Sequence, residues 1–207
     1  MRSGRFITLE GGEGVGKSTQ LGALAGALRA RGLDVLTTRE PGGSPGAEAI
    51  RSLLLDGPDE GWGPEAEALL FAAARTDHLD KVIRPALQAG RWVLSDRFVD
   101  SSLAYQGVAG GLGLEAVRRI NGFGIGAWFP DRTLVLVSPE GAARARSRDR
   151  DGSDRIGRRS AEYHRAVEAG FRTIAAEEPD RVRLVNASGT PEAVTARLLA
   201  AIADLLP

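Results

Sequence analysis

Eight residues near the N-terminus, Gly11-Gly12-Glu13-Gly14-Val15-Gly16-Lys17-Ser18, constrain this chain more than any others. They match the pattern G-x-x-x-x-G-K-[ST] and stand between a strand-like run at 5–10 and a helical pattern at 18–31. In that setting glycines let successive backbone N–H groups converge on a polyphosphate at a helix N-terminus, where the helix dipole favours negative charge. Lys17 reaches the terminal phosphates, the Ser18 hydroxyl can ligate Mg²⁺, and Thr19 follows in the first helical turn. Residues Gly11 to Thr19 are therefore the expected binding segment for a nucleoside triphosphate.

The rest of the chain has the alternation such a loop requires. Strand-like runs at 5–10, 33–39, 91–96, 133–138 and 181–186 are separated by helical patterns, which predicts a parallel α/β sheet in one domain spanning 1–207. Leu21, Leu24, Ala25 and Leu28 recur at helical spacing, and Gly32 follows as a stop. Ser138-Pro139-Glu140 and Thr190-Pro191-Glu192 each read as an N-cap followed by proline at the first helical position. The stretch 144–159, crowded with Arg, Asp, Gly and Ser, reads as an insertion.

Composition narrows the chemistry. The 207 residues are 43% hydrophobic, enough for one compact core. With no Cys and only two His, thiolate zinc sites, cysteine nucleophiles and histidine clusters are excluded, so a metal here should be oxygen-bound. Lys+Arg and Asp+Glu are equal at 27 each, which argues against bulk binding to nucleic acid or anionic membrane. No stretch approaches the ~18 apolar residues of a membrane span, and the chain start shows no signal-peptide core, so a cytoplasmic protein is expected. Lys17 and Lys81 are the only lysines, which makes the one in the glycine loop more informative. No Asn-Lys-x-Asp is present to read guanine, and no Leu-Ser-Gly-Gly-Gln transporter signature.

A second candidate site is Asp96-Arg97, which closes the third strand-like run. A carboxylate there faces the crevice beside the phosphate loop and could hold the Mg²⁺ shell, with Arg97 gripping a phosphate by its planar fork. The alternative is a surface ion pair beyond a strand. Phe71 alone reads as a core aromatic. Its spacing to Arg75 puts a stacking surface and a donor fork on one helix face.

Six segments stand in order along the chain: the phosphate loop, Arg39-Glu40-Pro41-Gly42-Gly43, Phe71-Ala72-Ala73-Ala74-Arg75, Asp96-Arg97-Phe98, Ser101-Ser102-Leu103-Ala104-Tyr105-Gln106-Gly107 and Asp154-Arg155-Ile156. Together they resemble the bacterial thymidylate kinases. That resemblance implies the fold of the P-loop nucleoside-monophosphate kinases: five parallel strands in the order 2-3-1-4-5, helices on both faces and an arginine-rich lid. It implies transfer of a phosphoryl group from Mg²⁺-ATP to dTMP, giving dTDP for dTTP synthesis, and a homodimer. By the same resemblance Phe71 stacks on thymine, Arg75 and Ser102 bond its polar edge, and Tyr105 and Gln106 line the pocket. Arg51 and Arg97 hold the acceptor phosphate, Glu40 orders that end, and Glu13 faces the sugar 3′-hydroxyl. Arg39 reads equally as a phosphate ligand or a strand-end charge, and no chemical role is expected for His78 or His164.

The segment 144–159 matches the lid. If it is helical, Arg144/Arg148 and Arg146/Arg150 are like-charge pairs one turn apart, each costing ~0.2–0.5 kcal/mol, a cost that a bound phosphate reverses. Asp149, Asp151 and Asp154 supply the alternative, a solvated self-paired face. Relatives divide by whether an arginine follows the acidic residue of the phosphate loop. Here Gly14 follows Glu13, so by the resemblance the lid supplies catalytic arginines, Arg148 and Arg155, beside Lys17 and Arg97, and a short insertion leaves Arg146, Arg148 and Arg150 as alternatives for the contact to the transferred phosphoryl group. Gly157 stands where the family usually has Glu.

Overall fold

The computed structural model describes residues 4–56, 61–126, 128–138 and 154–207. Five strands, β1 (Phe6–Glu10), β2 (Val35–Arg39), β3 (Trp92–Asp96), β4 (Arg132–Val137) and β5 (Val182–Asn186), form one parallel sheet in the order β2-β3-β1-β4-β5. Both the parallel sheet and its strand order are as expected from the sequence. All five residues of β1 are buried, as a central strand covered on both faces must be.

Alternating side chains divide the core. Ile7, Leu9, Leu94, Leu134 and Leu136 pack with Leu24 and Leu28 of α1 (Lys17–Arg29), and with Val194 and Leu198 of a C-terminal helix, Pro191–Ala201. Phe6 and Val93 face the other way, against Phe98, Leu79 and Ile83, and Phe6 meets Phe98 edge-on at 4.9 Å. Each such leucine or phenylalanine, fully buried, contributes about 1.5–3 kcal/mol.

On that second side lie α2 (Pro45–Leu55) and α3 (Pro64–His78). The α3 helix runs through a π-helical turn, Leu79–Ile83, into α4 (Arg84–Gln88). The π turn follows from Pro85, which lacks an N–H and whose ring displaces the carbonyl four residues back; Arg84 N accordingly donates five residues back, to Leu79 O. After β3, α5 (Val99–Ser102) continues as a wider π-helical stretch, Leu103–Ala109, followed by α6 (Leu114–Ile125). Later in the described residues come α7 (Ala161–Glu177), α8 (Pro191–Ala201) and a 3-10 turn, Ala203–Leu205. Ser44, Ser160 and Thr190 cap α2, α7 and α8 through their hydroxyls, with proline in the first turn of α2 and α8. The helix expected after Ser138 lies outside the described residues, as do Arg144, Arg146, Arg148 and Arg150. Among the described residues no helix is long and apolar enough to cross a membrane.

Candidate active site

The glycine loop leaves β1 at Glu10 and turns into α1 at Lys17. Gly11, Gly14 and Gly16 have φ of 134°, 70° and 103°. At Gly11 the requirement is doubled, because a Cβ would lie 2.6 Å from Leu136 O on β4. The loop folds Lys17 inward: its Nζ donates to the carbonyl oxygens of Gly11 at 3.1 Å and Gly12 at 2.8 Å. Burial and the neighbouring Arg97 guanidinium push Lys17 down to about 8.

The carboxyl end of β3 lies beside the loop. Ser18 Oγ donates to Asp96 Oδ2 at 2.9 Å, so two hard oxygens meet at the N-terminus of α1. Arg97 follows with φ 72°, the sole non-glycine residue with positive φ among the described residues. Glu10 holds that strained turn from below: its Oε1 accepts from Phe98 N at 2.7 Å and its Oε2 from Ser101 Oγ at 2.6 Å. Glu10 is fully buried, and burial, with the nearby Asp100 carboxylate, raises it to about 8. Asp100 in turn receives both Arg181 Nη atoms at 2.7 Å and Thr133 Oγ1 at 2.7 Å, tying α5 to β4 and to the start of β5.

So held, Arg97 pairs with Glu13, donates to Ser101 Oγ at 3.1 Å and lies 4.9 Å over the Tyr105 ring. Arg97 draws the Glu13 carboxyl down to about 2 despite its burial. Burial pushes the Tyr105 phenol far up, so it stays a donor, and it donates to Glu13 Oε1 at 3.2 Å.

The second half of the site grows from α3, where Glu67, Phe71, Arg75 and His78 recur at spacings of four, four and three and so share one helical stripe. Phe71 is only partly buried and lines a cavity instead of joining the core. Arg75 is 2% exposed and nearly saturated: Nε donates to Glu40 Oε2 at 2.8 Å, Nη1 to Ser102 Oγ at 3.0 Å and Asn121 Oδ1 at 2.5 Å, and Nη2 to Phe98 O at 3.1 Å. Glu40 precedes a cis bond to Pro41, and Arg51 Nη1 donates to Pro41 O at 2.6 Å.

One cavity of about 280 Å³ joins the two halves, at the carboxyl ends of β1 and β3 where chain order reverses in the sheet. Its walls include Glu13, Gly14, Gly16, Lys17, Ser18 and Thr19 on the loop side, Asp96 and Arg97 at its floor, and Glu40, Arg51, Phe71, Arg75, Ser102, Tyr105 and Gln106 around the other end. Gly11, Gly12 and Val15 belong to the loop but line a separate small cavity, with Val135, Glu168 and Phe171. Arg39 also reaches the cavity wall, with Nη2 on Glu48.

Arg155 stands elsewhere. Expected to be catalytic, it is buried with Nε on Leu54 O at 3.0 Å and Nη2 on Glu67 Oε2 at 2.5 Å, so its charge is spent inside the protein. His78, expected to be inert, is fully buried with Nδ1 3.1 Å from Glu40 Oε1 and Nε2 2.7 Å from Thr38 Oγ1. Because a carboxylate only accepts, Nδ1 donates to Glu40, while Nε2 and the threonine hydroxyl share the other hydrogen bond. Its position three residues after Arg75 was the available signal.

Comparison with known proteins gives the family. The family model for thymidylate kinase matches residues 9–198. A thymidylate kinase of Rhizorhabdus wittichii is 61% identical over 206 residues, covering 99% of each chain. A thymidylate kinase of Bradyrhizobium diazoefficiens is 48% identical over 208 residues, covering 99% of this chain and 91% of its own. The crystal structure of thymidylate kinase from Ehrlichia chaffeensis superposes with a TM-score of 0.79 at 30% identity, over 97% of this chain and 99% of its own. With the glycine loop, the Asp96-Arg97 turn and the α3 stripe meeting in one cavity, and with matches that span nearly its whole length, the chain belongs to the thymidylate kinase family.

Proposed function

We propose that this chain transfers a phosphoryl group from ATP to dTMP, forming ADP and dTDP. The observation that carries the reading is the shared cavity: a triphosphate loop opens at one end, and a partly exposed aromatic with a buried arginine four residues on opens at the other. The acceptor phosphate has a second pKa of ~6 and is mostly dianionic at pH 7, so no general base is required. Catalysis then consists of alignment and charge neutralisation. Lys17 leaves the Gly11 and Gly12 carbonyls for the transferred phosphoryl group, while Arg97 and Arg51 hold the attacking phosphate. In this reading Glu13, which Arg97 and Tyr105 hold, accepts from the sugar hydroxyl.

The donors at the loop mouth suit Mg²⁺, which takes one or two protein oxygens beside those of phosphates. Ser18 and Asp96 supply that set, and among the described residues no cluster of three or more His, Cys, Asp or Glu competes with it. When bound, Mg²⁺ would neutralise charge on the phosphate oxygens. Because Gly14 leaves the loop without an arginine, the remaining positive charge is assigned to 144–150, to Arg148 first.

We extend the reading to a single cytoplasmic kinase domain that pairs as a homodimer. Leu53, Leu69 and Phe123 on α2, α3 and α6 are exposed apolar side chains that a partner subunit would cover. Sedimentation should give twice the 21.8 kDa chain mass, and a monomer at micromolar concentration removes the dimer. The activity itself is tested by an acceptor panel: dTMP should be phosphorylated well ahead of dCMP, dAMP and dGMP, and equal rates with all four would leave a kinase of another substrate.

A further inference from the structure

Gln106 and Glu67 form a buried pair at the acceptor end of the cavity. Gln106 lines the cavity wall from the π-helical stretch after α5, yet only 3% of it is exposed. Its Nε2 donates to Glu67 Oε1 at 3.0 Å, and no donor among the described residues reaches its Oε1. Glu67 is itself 2% exposed, and its other oxygen receives Arg155 Nη2 at 2.5 Å and Arg159 Nη2 at 2.6 Å. Glu67 thus meets donors on both oxygens, two guanidinium groups on one and the Gln106 amide on the other, and serves throughout as an acceptor. A carboxamide facing such a partner has one orientation: NH₂ toward Glu67 and C=O away from it.

We infer that Glu67 is a specificity-determining positioning residue, which locks the Gln106 carboxamide so that an acceptor oxygen faces the base at ring position 3. The inference rests on the dTMP reading above. Thymine carries N–H at position 3 and a carbonyl at position 4, whereas cytosine carries a bare ring nitrogen at 3 and an amine at 4. Arg75 is a donor by nature and suits the position-4 carbonyl. Gln106 unassisted could turn either end to the base and suit either pyrimidine. Fixed by Glu67, it offers a lone pair to thymine N3–H and repels the lone pair of cytosine N3. The two arginines that anchor the chain just after 144–150 therefore also set the polarity of the base pocket, through one shared carboxylate.

The test is Glu67→Gln, which keeps volume and lets Gln106 turn over. Steady-state kinetics with dTMP and dCMP should show the ratio of kcat/KM values falling by about tenfold or more, mainly through a lower KM for dCMP, with KM for ATP unchanged. In a Gln106→Leu background the same substitution should change the ratio by less than about twofold, because the lock has nothing left to hold. A folded Glu67→Gln protein with wild-type discrimination overturns the inference, as does an equal fall in the Gln106→Leu background. Independently of any variant, a crystal structure of the wild-type chain with dTMP should show Gln106 spanning Glu67 and base position 3; a Gln106 that has left Glu67 overturns it. A wild-type protein that does not phosphorylate dTMP at all overturns both this inference and the function it rests on.

Discussion

Lys17 lies folded onto its own loop, Nζ 2.8 Å from the carbonyl oxygen of Gly12. In this position its charge is buried at a cost: with its value pushed down to about 8, it destabilises the folded protein by on the order of 3 kcal/mol at pH 7. Below about pH 8 both folded and unfolded chains hold the proton and the cost is complete. Between about 8 and 10.5 the folded chain releases its proton first, so stability rises with pH. Lys17→Met should therefore melt a few degrees above wild type at pH 7, with the margin shrinking toward pH 10, while turnover falls by about 10²–10³-fold or more. Calorimetry and turnover measured on one preparation check both. A variant that turns over normally would take Lys17 out of the mechanism.

Glu10 produces the opposite slope. Its folded value of about 8 lies above the ordinary 4.5, so between those limits the folded chain holds more protons and stability falls as pH rises. Glu10→Gln keeps an acceptor for Phe98 N, turns the contact with Ser101 Oγ into a donation from the amide, and removes the titration. Urea unfolding at pH 5 and pH 8 should show the variant gaining on wild type at the higher pH. A constant difference would assign the slope to another group.

His78 supports Glu40, which supports Arg75. His78→Leu strands a buried carboxylate oxygen and should raise KM for dTMP about tenfold with KM for ATP little changed. His78→Gln, able to donate to Glu40 and accept from Thr38, should restore most of that loss. Equal effects of the two variants on both substrates would make His78 a packing residue only.

Arg155 and Arg148 should separate structure from chemistry. Arg155→Met breaks a buried pair with Glu67, a change costing about 3–5 kcal/mol, and should lower the melting temperature by several degrees. Arg148→Ala should leave melting unchanged and reduce kcat by about 10³-fold, with dTMP binding nearly intact. The reverse pattern would return Arg155 to the transferred phosphoryl group.

The glycine loop and the five strand-like runs were readable because they are local: alternation, apolar runs and Pro or Gly punctuation fix each element within a residue or two. The run at 33–39 became β2 at Val35–Arg39, and 91–96 became β3 at Trp92–Asp96. The π-helical turns were not readable as such, since a five-residue hydrogen bond leaves the apolar pattern helical; only Pro85 marked one of them. At the site, Phe71 and Arg75 were visible through their spacing. Asn121, which bonds Arg75 from 46 residues away, and Glu67, whose partners are Gln106, Arg155 and Arg159, become meaningful only when the fold brings them together. The pairing of Arg155 was hidden for the same reason, because a sequence shows a charge and not the buried carboxylate that meets it.

The most direct test of the central claim is ADP formation by the purified chain at saturating Mg²⁺-ATP, measured with and without dTMP. The expected result is slow or undetectable ADP formation alone and rapid formation, matched one to one by dTDP, when dTMP is added. ADP production that is independent of dTMP, or that proceeds without dTDP, would contradict a cavity built to join two nucleotides.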